Sequence, residues 1–242
     1  MHHEIEFKDV FFTYPNGNFS LEDISFKIKI GSRFAICGPN GAGKTTILKL
    51  LLGLLKHQKG QIKVQELVLS DKTIDEIRKR VGFVFQNPDV QVFSASVYED
   101  VAFGPRNLGL NEEEVKERVE KALKAVGMLE YITQSPFQLS FGQRKRIAIA
   151  GILAMDPAII AFDEPFANLD WPTSVSLQEL LEQAVLKRGK TIIFTSHSRY
   201  LVQTWSDEIL LLDKGKIKFY GTPAELERYE LADKILGPIN SR

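Results

Sequence analysis

The chain of 242 residues has one cysteine, Cys37. That excludes an internal disulfide framework and permits a reducing compartment. No charge sign is in excess: 31 Lys+Arg stand against 31 Asp+Glu, a formal net charge of zero. That argues against a dominant field for nucleic acid or a membrane surface, while leaving room for a local basic patch, and no nucleic-acid partner is expected. Long apolar runs are missing too. The best candidate, Thr46 to Leu55, carries Lys49 and is far shorter than the ~20 residues a bilayer crossing needs. Met1-His2-His3-Glu4 lacks the basic start and apolar run of a secretory leader. The chain is expected to be soluble by itself and cytoplasmic, serving a membrane, if at all, through partners. There is no repeat period of 20–50 residues and no low-complexity linker. What remains is 44% hydrophobic and 26% charged, enough for a sizeable core in one large domain or two small lobes.

Periodicity divides the chain. Ile5 to Ile30 alternates apolar and polar residues around a turn at Pro15-Asn16-Gly17, as a half-exposed antiparallel sheet does. Phe34-Ala35-Ile36-Cys37 is a short buried-strand run, and a helix is predicted from Lys44 to about Leu55. Gln61–Val64 reads as a strand, Thr73–Arg80 as a helix and Val81–Phe85 as a buried strand. The next seventy residues are mostly helical. Among them, Asn111 and Glu114 form a capping box ahead of a stripe of Val115, Val119, Leu123 and Val126. Its Glu–Lys and Glu–Arg i,i+4 pairs mark a solvated face. Strand and helix then alternate again: strand Ala158–Phe162, helix Ser174–Lys187, strand Thr191–Phe194, a hairpin about Lys214-Gly215, and a final helix opened by Thr222-Pro223. The fold class is α/β, with an antiparallel sheet at the start and a helical insertion.

Two motifs carry chemistry. Gly38-Pro39-Asn40-Gly41-Ala42-Gly43-Lys44-Thr45, followed by Thr46, fits G-x-x-x-x-G-K-[ST] between a buried strand and a helix. The glycines let backbone N–H groups curl toward phosphates, and the helix N-terminus adds positive potential. Lys44 reaches the β/γ-phosphates, and the Thr45 hydroxyl is a Mg²⁺ ligand. Asp163-Glu164 follows a strand, where α/β sheets form their binding crevice. Asp163 can hold Mg²⁺ through water. Glu164 can act on the attacking water as general base or by orienting it.

With these motifs and those that follow, nearly the whole chain resembles the nucleotide-binding subunits of ATP-binding cassette (ABC) transporters, which have a P-loop NTPase core, an antiparallel β subdomain and a helical subdomain. Gln86 matches the Q-loop glutamine, Ala167-Asn168-Leu169-Asp170 the D-loop, and His197 the switch histidine. Tyr14 stands where the family stacks an aromatic ring on adenine. Leu139-Ser140-Phe141-Gly142-Gln143 matches the signature motif, with Phe141 in place of the usual glycine. The resemblance implies a head-to-tail pair of subunits with two ATP molecules at their interface. Ser140, Phe141, Gly142 and Gln143 of one subunit then face the γ-phosphate held by the other, while Gln86 reaches Mg²⁺ and His197 the γ-phosphate. A Phe141 ring either turns outward or crowds that phosphate; the crowded case favours a heterodimer with a paralogue.

Gln86-Asn87-Pro88-Asp89-Val90-Gln91-Val92-Phe93 and Val97 to Pro105 are more narrowly similar to the ATPases of energy-coupling factor (ECF) transporters, importers of vitamins or metal ions with a membrane T component and a substrate-binding S component. Glu99 and Asp100 are expected either as acidic contacts for coupling helices or as an ordinary solvated helix start. The resemblance divides the single domain into a nucleotide-binding core, 1–86 with 156–242, and a helical subdomain, 87–155. It places the protein peripherally at the cytoplasmic face of the membrane. The competing reading is a soluble ABC ATPase of DNA repair or translation. The single cassette without a long heptad insertion argues against it. A non-hydrolysing regulatory subunit is disfavoured because Lys44, Asp163, Glu164 and His197 are all present.

Overall fold

Short buried strands, one of them β3 (Arg33–Cys37), set the frame of the fold in a computed structural model that describes residues 3–238. Met1 and His2, which entered the reading of the leader, lie outside the described residues, as do residues 239–242. The chain runs through β1 (His3–Thr13), β2 (Ser20–Lys29), β3, α1 (Lys44–Leu51), β4 (Lys59–Val64), β5 (Leu67–Val68) and α2 (Ile74–Arg80). Then come β6 (Val81–Val84), α3 (Val97–Asn107), α4 (Glu112–Ala125), α5 (Phe141–Met155), β7 (Ile159–Phe162) and α6 (Trp171–Ala184). It closes with β8 (Thr191–Ser196), α7 (Arg199–Trp205), β9 (Glu208–Asp213), β10 (Lys216–Gly221), α8 (Pro223–Glu227) and α9 (Ala232–Leu236). The chain forms two compact units. One holds the residues up to Arg78 and those from Thr191 onward; the other is Lys79–Lys190.

In the first unit, β2, β1, β4 and β5 form an antiparallel sheet in that order. Alternation in β2 buries Leu21, Ile24, Phe26 and Ile28 on one face, as half-buried strands require. Phe7 stacks on Phe26 at 4.6 Å and Phe26 on Phe34 at 5.4 Å, so a column of rings ties this sheet to β3. β3 lies between β8 and β9 with parallel pairing to both, and β10 pairs antiparallel with β9. Because β3 is paired on both sides, four of its five residues are buried, hence its unbroken apolar run. Burial pushes the Cys37 thiol up to about 12, with Lys44 opposing weakly, so this cysteine is an inert core residue.

In the second unit, β6 and β7 pair in parallel, and α3, α4 and α5 pack on one another. The capping box of α4 is formed as expected, and Val115, Val119, Leu123 and Val126 are buried. Its charged face is used differently from the i,i+4 pairing expected: Arg106 holds Glu112, and Arg118 donates to the Ala154 carbonyl at 3.3 Å.

Several bounds differ from the sequence reading. Helix α1 stops at Leu51 and Gly53 takes φ 61°, ending the turn that the apolar residues beyond would have continued. Helix α6 begins at Trp171, a turn earlier than expected. The Asp170 carboxylate caps it by accepting from Thr173 N at 2.9 Å, and Pro172 sits in the first turn, where no N–H is needed. Two strands end earlier and later than read, β6 at Val84 and β8 at Ser196. The helix opened by Thr222 is followed by one more, α9.

Candidate functional site

Register places the first group of site residues. Cys37, the last residue of β3, pairs with Ser196 of β8 and Leu211 of β9. Gly38 and His197 therefore leave the sheet from paired positions at the carboxyl ends of parallel strands, where α/β sheets bind ligands. The loop from Gly38 has φ 145° at Gly38, 78° at Gly41 and 111° at Gly43, values that side-chain-bearing residues avoid. A Cβ on Gly38 would lie 2.2 Å from the Leu212 carbonyl oxygen, and one on Gly43 2.7 Å from Leu21 Cδ2. Lys44, the first residue of α1, is buried; its ammonium donates to the Gly38 carbonyl at 2.9 Å and the Pro39 carbonyl at 3.3 Å. Gly215 N donates to the Ala42 carbonyl at 3.1 Å and so braces the loop from the β9–β10 hairpin. The result is a curled backbone with a cation inside it at a helix N-terminus, a cradle for phosphate. Asn40 and Gly41 lie exposed on its rim. Thr45 follows Lys44 in the first turn, and the Thr46 hydroxyl lies 3.3 Å from Tyr14 Oη. The Tyr14 ring meets Phe12 edge-on at 4.8 Å. His197 is exposed, and Ser198 after it caps α7.

The second unit repeats this logic. Val84 pairs with Phe162, and Asp163 N donates to the Val84 carbonyl at 3.0 Å. Phe85-Gln86 and Asp163-Glu164 thus leave β6 and β7 side by side. Asp163 is buried, Glu164 half-buried and Gln86 exposed. Glu164 takes the left-handed φ of 46°, a conformation costing on the order of 1–3 kcal/mol in a non-glycine residue and concentrated at functional sites. Ala167 N closes the turn on the Glu164 carbonyl at 3.2 Å, and the chain passes through Asn168, φ 62°, to the helix cap Asp170.

The signature segment forms the start of α5. Ser140 Oγ accepts from Gln143 N at 3.3 Å, and the Gln143 side chain accepts from Ser140 N at 2.9 Å, a full capping box. As an acceptor in this cap, the Ser140 hydroxyl keeps its proton to donate. A Cβ at Gly142 would meet nothing within 4 Å. The Phe141 ring lies along its own helix, 5.6 Å from Lys145 Nζ.

Sequence reasoning missed three supporting residues in this unit. Lys145 is buried and donates to the Pro165 carbonyl at 2.6 Å; burial pulls its ammonium down to about 8, against the raising effect of Glu164. Gln91 accepts from Phe85 N at 3.1 Å and donates to the Phe83 carbonyl at 3.3 Å, standing in for a strand partner where β6 gives way to Gln86. Arg144 donates to Asp89 at 2.6 Å and also to the Leu139 carbonyl. A basic residue two places after the signature glutamine was the visible signal for Lys145; nothing local marked it as buried.

One expectation is corrected. Asp100 is not a solvent-facing acid, because its carboxylate accepts from Phe93 N at 3.0 Å and Ser94 N at 3.2 Å. Burial raises its pKa while those bonds oppose the rise. Glu99 is exposed and paired with Arg106 at 2.5 Å.

A curled glycine loop leading from a buried strand into a helix, with its lysine inside the curl, defines a P-loop nucleotide-binding domain. Residues 21–167 match the ABC transporter family. The chain is 47% identical over 224 residues to the energy-coupling factor transporter ATP-binding protein EcfA of Methanocaldococcus jannaschii, covering 92% of this chain and 80% of that protein. It is 44% identical over 229 residues to a putative ABC transporter ATP-binding protein of Pyrococcus horikoshii, covering 94% and 86%. Among solved structures, cbiO1 of Clostridium perfringens, described as part of the ABC transporter complex cbiONQ, matches with a TM-score of 0.87 at 36% identity, covering 96% of this chain and 93% of that one. The chain belongs to the ABC transporter family, as one of its ATP-hydrolysing subunits. No helix among the described residues is long and apolar enough to cross a membrane.

Proposed function

We propose that the chain powers ECF-type import of a vitamin or a transition-metal ion as a peripheral ATPase at the cytoplasmic face of the membrane. The single observation that carries the reading is the exit of Gly38, His197, Gln86 and Asp163-Glu164 from the carboxyl ends of parallel strands, in a chain 47% identical to an EcfA protein.

In this reading the loop N–H groups of Gly38, Pro39-flanked Asn40, Gly41, Ala42 and Gly43 hold the β-phosphate, and Lys44 exchanges its carbonyl partners for β/γ-phosphate oxygens. Tyr14 stacks on adenine, and Thr46 completes the first turn against it. Mg²⁺ takes hard oxygen donors, one or two from protein and the rest from phosphates and water. The Thr45 hydroxyl, the buried Asp163 carboxylate and the Gln86 amide oxygen are donors of that kind. When bound, Mg²⁺ neutralises charge on the phosphate oxygens. Glu164 takes a proton from the attacking water or orients it, and His197 hydrogen-bonds the γ-phosphate. Asp170 lies on the D-loop, at the subunit interface.

The partner is a second ATPase subunit. It receives Ser140, Phe141, Gly142 and Gln143 at its γ-phosphate, with the N–H groups and positive end of α5 as the electrostatic complement. Because the Phe141 ring lies along its own helix, 5.6 Å from Lys145 Nζ, the crowding that would favour a heterodimer with a paralogue is not what this structure holds, and the second subunit is either another copy of this chain or a paralogue. The helical subdomain 87–155 receives the membrane T component, which works with a substrate-binding S component. Phe93 and Phe103 are exposed there and meet edge-on at 5.1 Å; such an exposed aromatic pair suits a helix of a membrane subunit. No nucleic-acid partner enters this reading.

Affinity copurification from native membranes tests it. Recovery of a membrane subunit together with a second ATPase supports the reading, and recovery of ribosomal or DNA-repair components instead favours the soluble alternative.

A further inference from the structure

Lys145 is a charged side chain only 2% exposed, buried at the point where the signature helix meets the catalytic turn. From α5 its ammonium donates to the Pro165 carbonyl at 2.6 Å and reaches the Ala167 carbonyl at 3.5 Å. Those two carbonyls bracket the turn that follows Glu164, and Glu164 holds the strained φ of 46°. Burying an ammonium costs several kcal/mol unless it is paired, so a stretch of chain that needed only packing would not place one here. The ammonium also lies over the Phe141 ring, 5.6 Å from its centroid, four residues earlier on the same helix face. Phe141 is also the residue at which the signature segment departs from Gly. The departure and the buried cation thus form one feature: a positive charge over an aromatic ring.

We propose that Lys145 is a positioning residue that holds the Glu164–Ala167 turn in its catalytic conformation, and that the Phe141 ring is its aromatic partner, so the signature segment is mechanically tied to this chain's own Glu164. The inference rests on the head-to-tail reading above. In that arrangement the signature segment serves the partner's nucleotide while Glu164 serves this chain's own. Displacement of the Phe141 ring when the partner's nucleotide arrives changes the grip of Lys145 on the Pro165 carbonyl. The contact therefore couples the two nucleotide sites through a single side chain. Burial disfavours the charged form of Lys145, and the negative charge of Glu164 favours it.

The test compares Lys145→Met, Lys145→Arg, Phe141→Ala and the double variant Phe141→Ala/Lys145→Met in the full chain assembled with its ATPase partner, with Glu164→Gln as control. We expect Lys145→Met to lower kcat by at least about tenfold while KM and calorimetric ATP affinity stay within about twofold, the signature of a group that acts on the reacting geometry alone. Lys145→Arg restores most of kcat. The double variant turns over no more slowly than Lys145→Met alone, because the ring then has no cation left to meet. A near-normal kcat in Lys145→Met overturns the proposal, as do equal losses in kcat and ATP affinity, or additive losses in the double variant. If Lys145→Met does not fold, Lys145→Gln carries the same comparison. Near-normal turnover in Glu164→Gln sinks the assignment of Glu164 instead, which separates the two failures.

Discussion

Lys44→Ala tests the loop twice, once without nucleotide and once with it. The Lys44 ammonium braces the loop from inside, donating to the Gly38 carbonyl at 2.9 Å and more weakly to the Pro39 carbonyl at 3.3 Å. A hydrogen bond from a charged donor contributes about 1.5–3 kcal/mol, and the buried Gly38 carbonyl loses its partner in the variant. For a chain of this size each kcal/mol is worth roughly 2–4 °C, so the nucleotide-free melting temperature should fall by roughly 3–12 °C. With ATP the effect is separate. Losing the charge that faces the β/γ-phosphates should weaken binding at least about tenfold, which is about 1.4 kcal/mol. At an ATP concentration about 100 times the dissociation constant of the unmodified chain, ligand stabilisation is ~2.7 kcal/mol, and tenfold weaker binding cuts it to about half. Thermal melts with and without ATP, and calorimetric titration, measure both. An unchanged nucleotide-free melt would refute the brace, and an unchanged ATP-dependent rise would refute the assignment of the loop.

Glu164→Gln should keep ATP affinity and slow hydrolysis by roughly a hundredfold or more, while an ATP-bridged dimer accumulates on a sizing column; near-normal turnover in the complete transporter would move the base elsewhere, His197 first. Gly38→Ala brings a methyl to 2.2 Å from a backbone oxygen at φ 145°, so ATP binding measured calorimetrically should be lost while the far-ultraviolet spectrum is kept; retained binding would mean the loop has another conformation. Replacing Phe93 and Phe103 together by Ser should weaken assembly with the membrane component and spare nucleotide binding, and normal complex yield at moderate salt would make that aromatic pair a mere surface feature. For Phe141, turnover of the chain alone and mixed with its paralogue decides the working form: equal rates with ATP-driven self-association would discard the heterodimer.

Much of this was legible because local chemistry and tertiary role coincide. The glycines of the loop announce their φ values, Asn111 and Glu114 their capping box, and the apolar run of β3 its central place in a sheet. The parts that were not legible are those in which a side chain replaces backbone. Gln91 bonds the backbone on both sides of the end of β6, donating to the Phe83 carbonyl and accepting from Phe85 N, and no spacing rule signals that. Asp100 looks like an acid at a helix start, yet it is spent on Phe93 N and Ser94 N, a contact decided by a loop turning back. Lys145 sits in a run of three basic residues with no local mark of burial; only the packing of α5 against the turn after Glu164 buries it. Helix α6 began a turn early because Pro172 is favourable in a first turn, although proline reads as a breaker.

In the proposed function, hydrolysis needs this chain's Lys44 and Glu164 together with a signature segment from a second subunit. The most direct measurement is ATP turnover per chain as a function of protein concentration, for the chain alone and with its paralogous subunit, with association followed in the same samples by light scattering. Turnover per chain should be negligible where the protein is monomeric, rise with the dimer fraction to a plateau, and be abolished by Glu164→Gln. Full turnover from a demonstrably monomeric chain, independent of concentration, would contradict it.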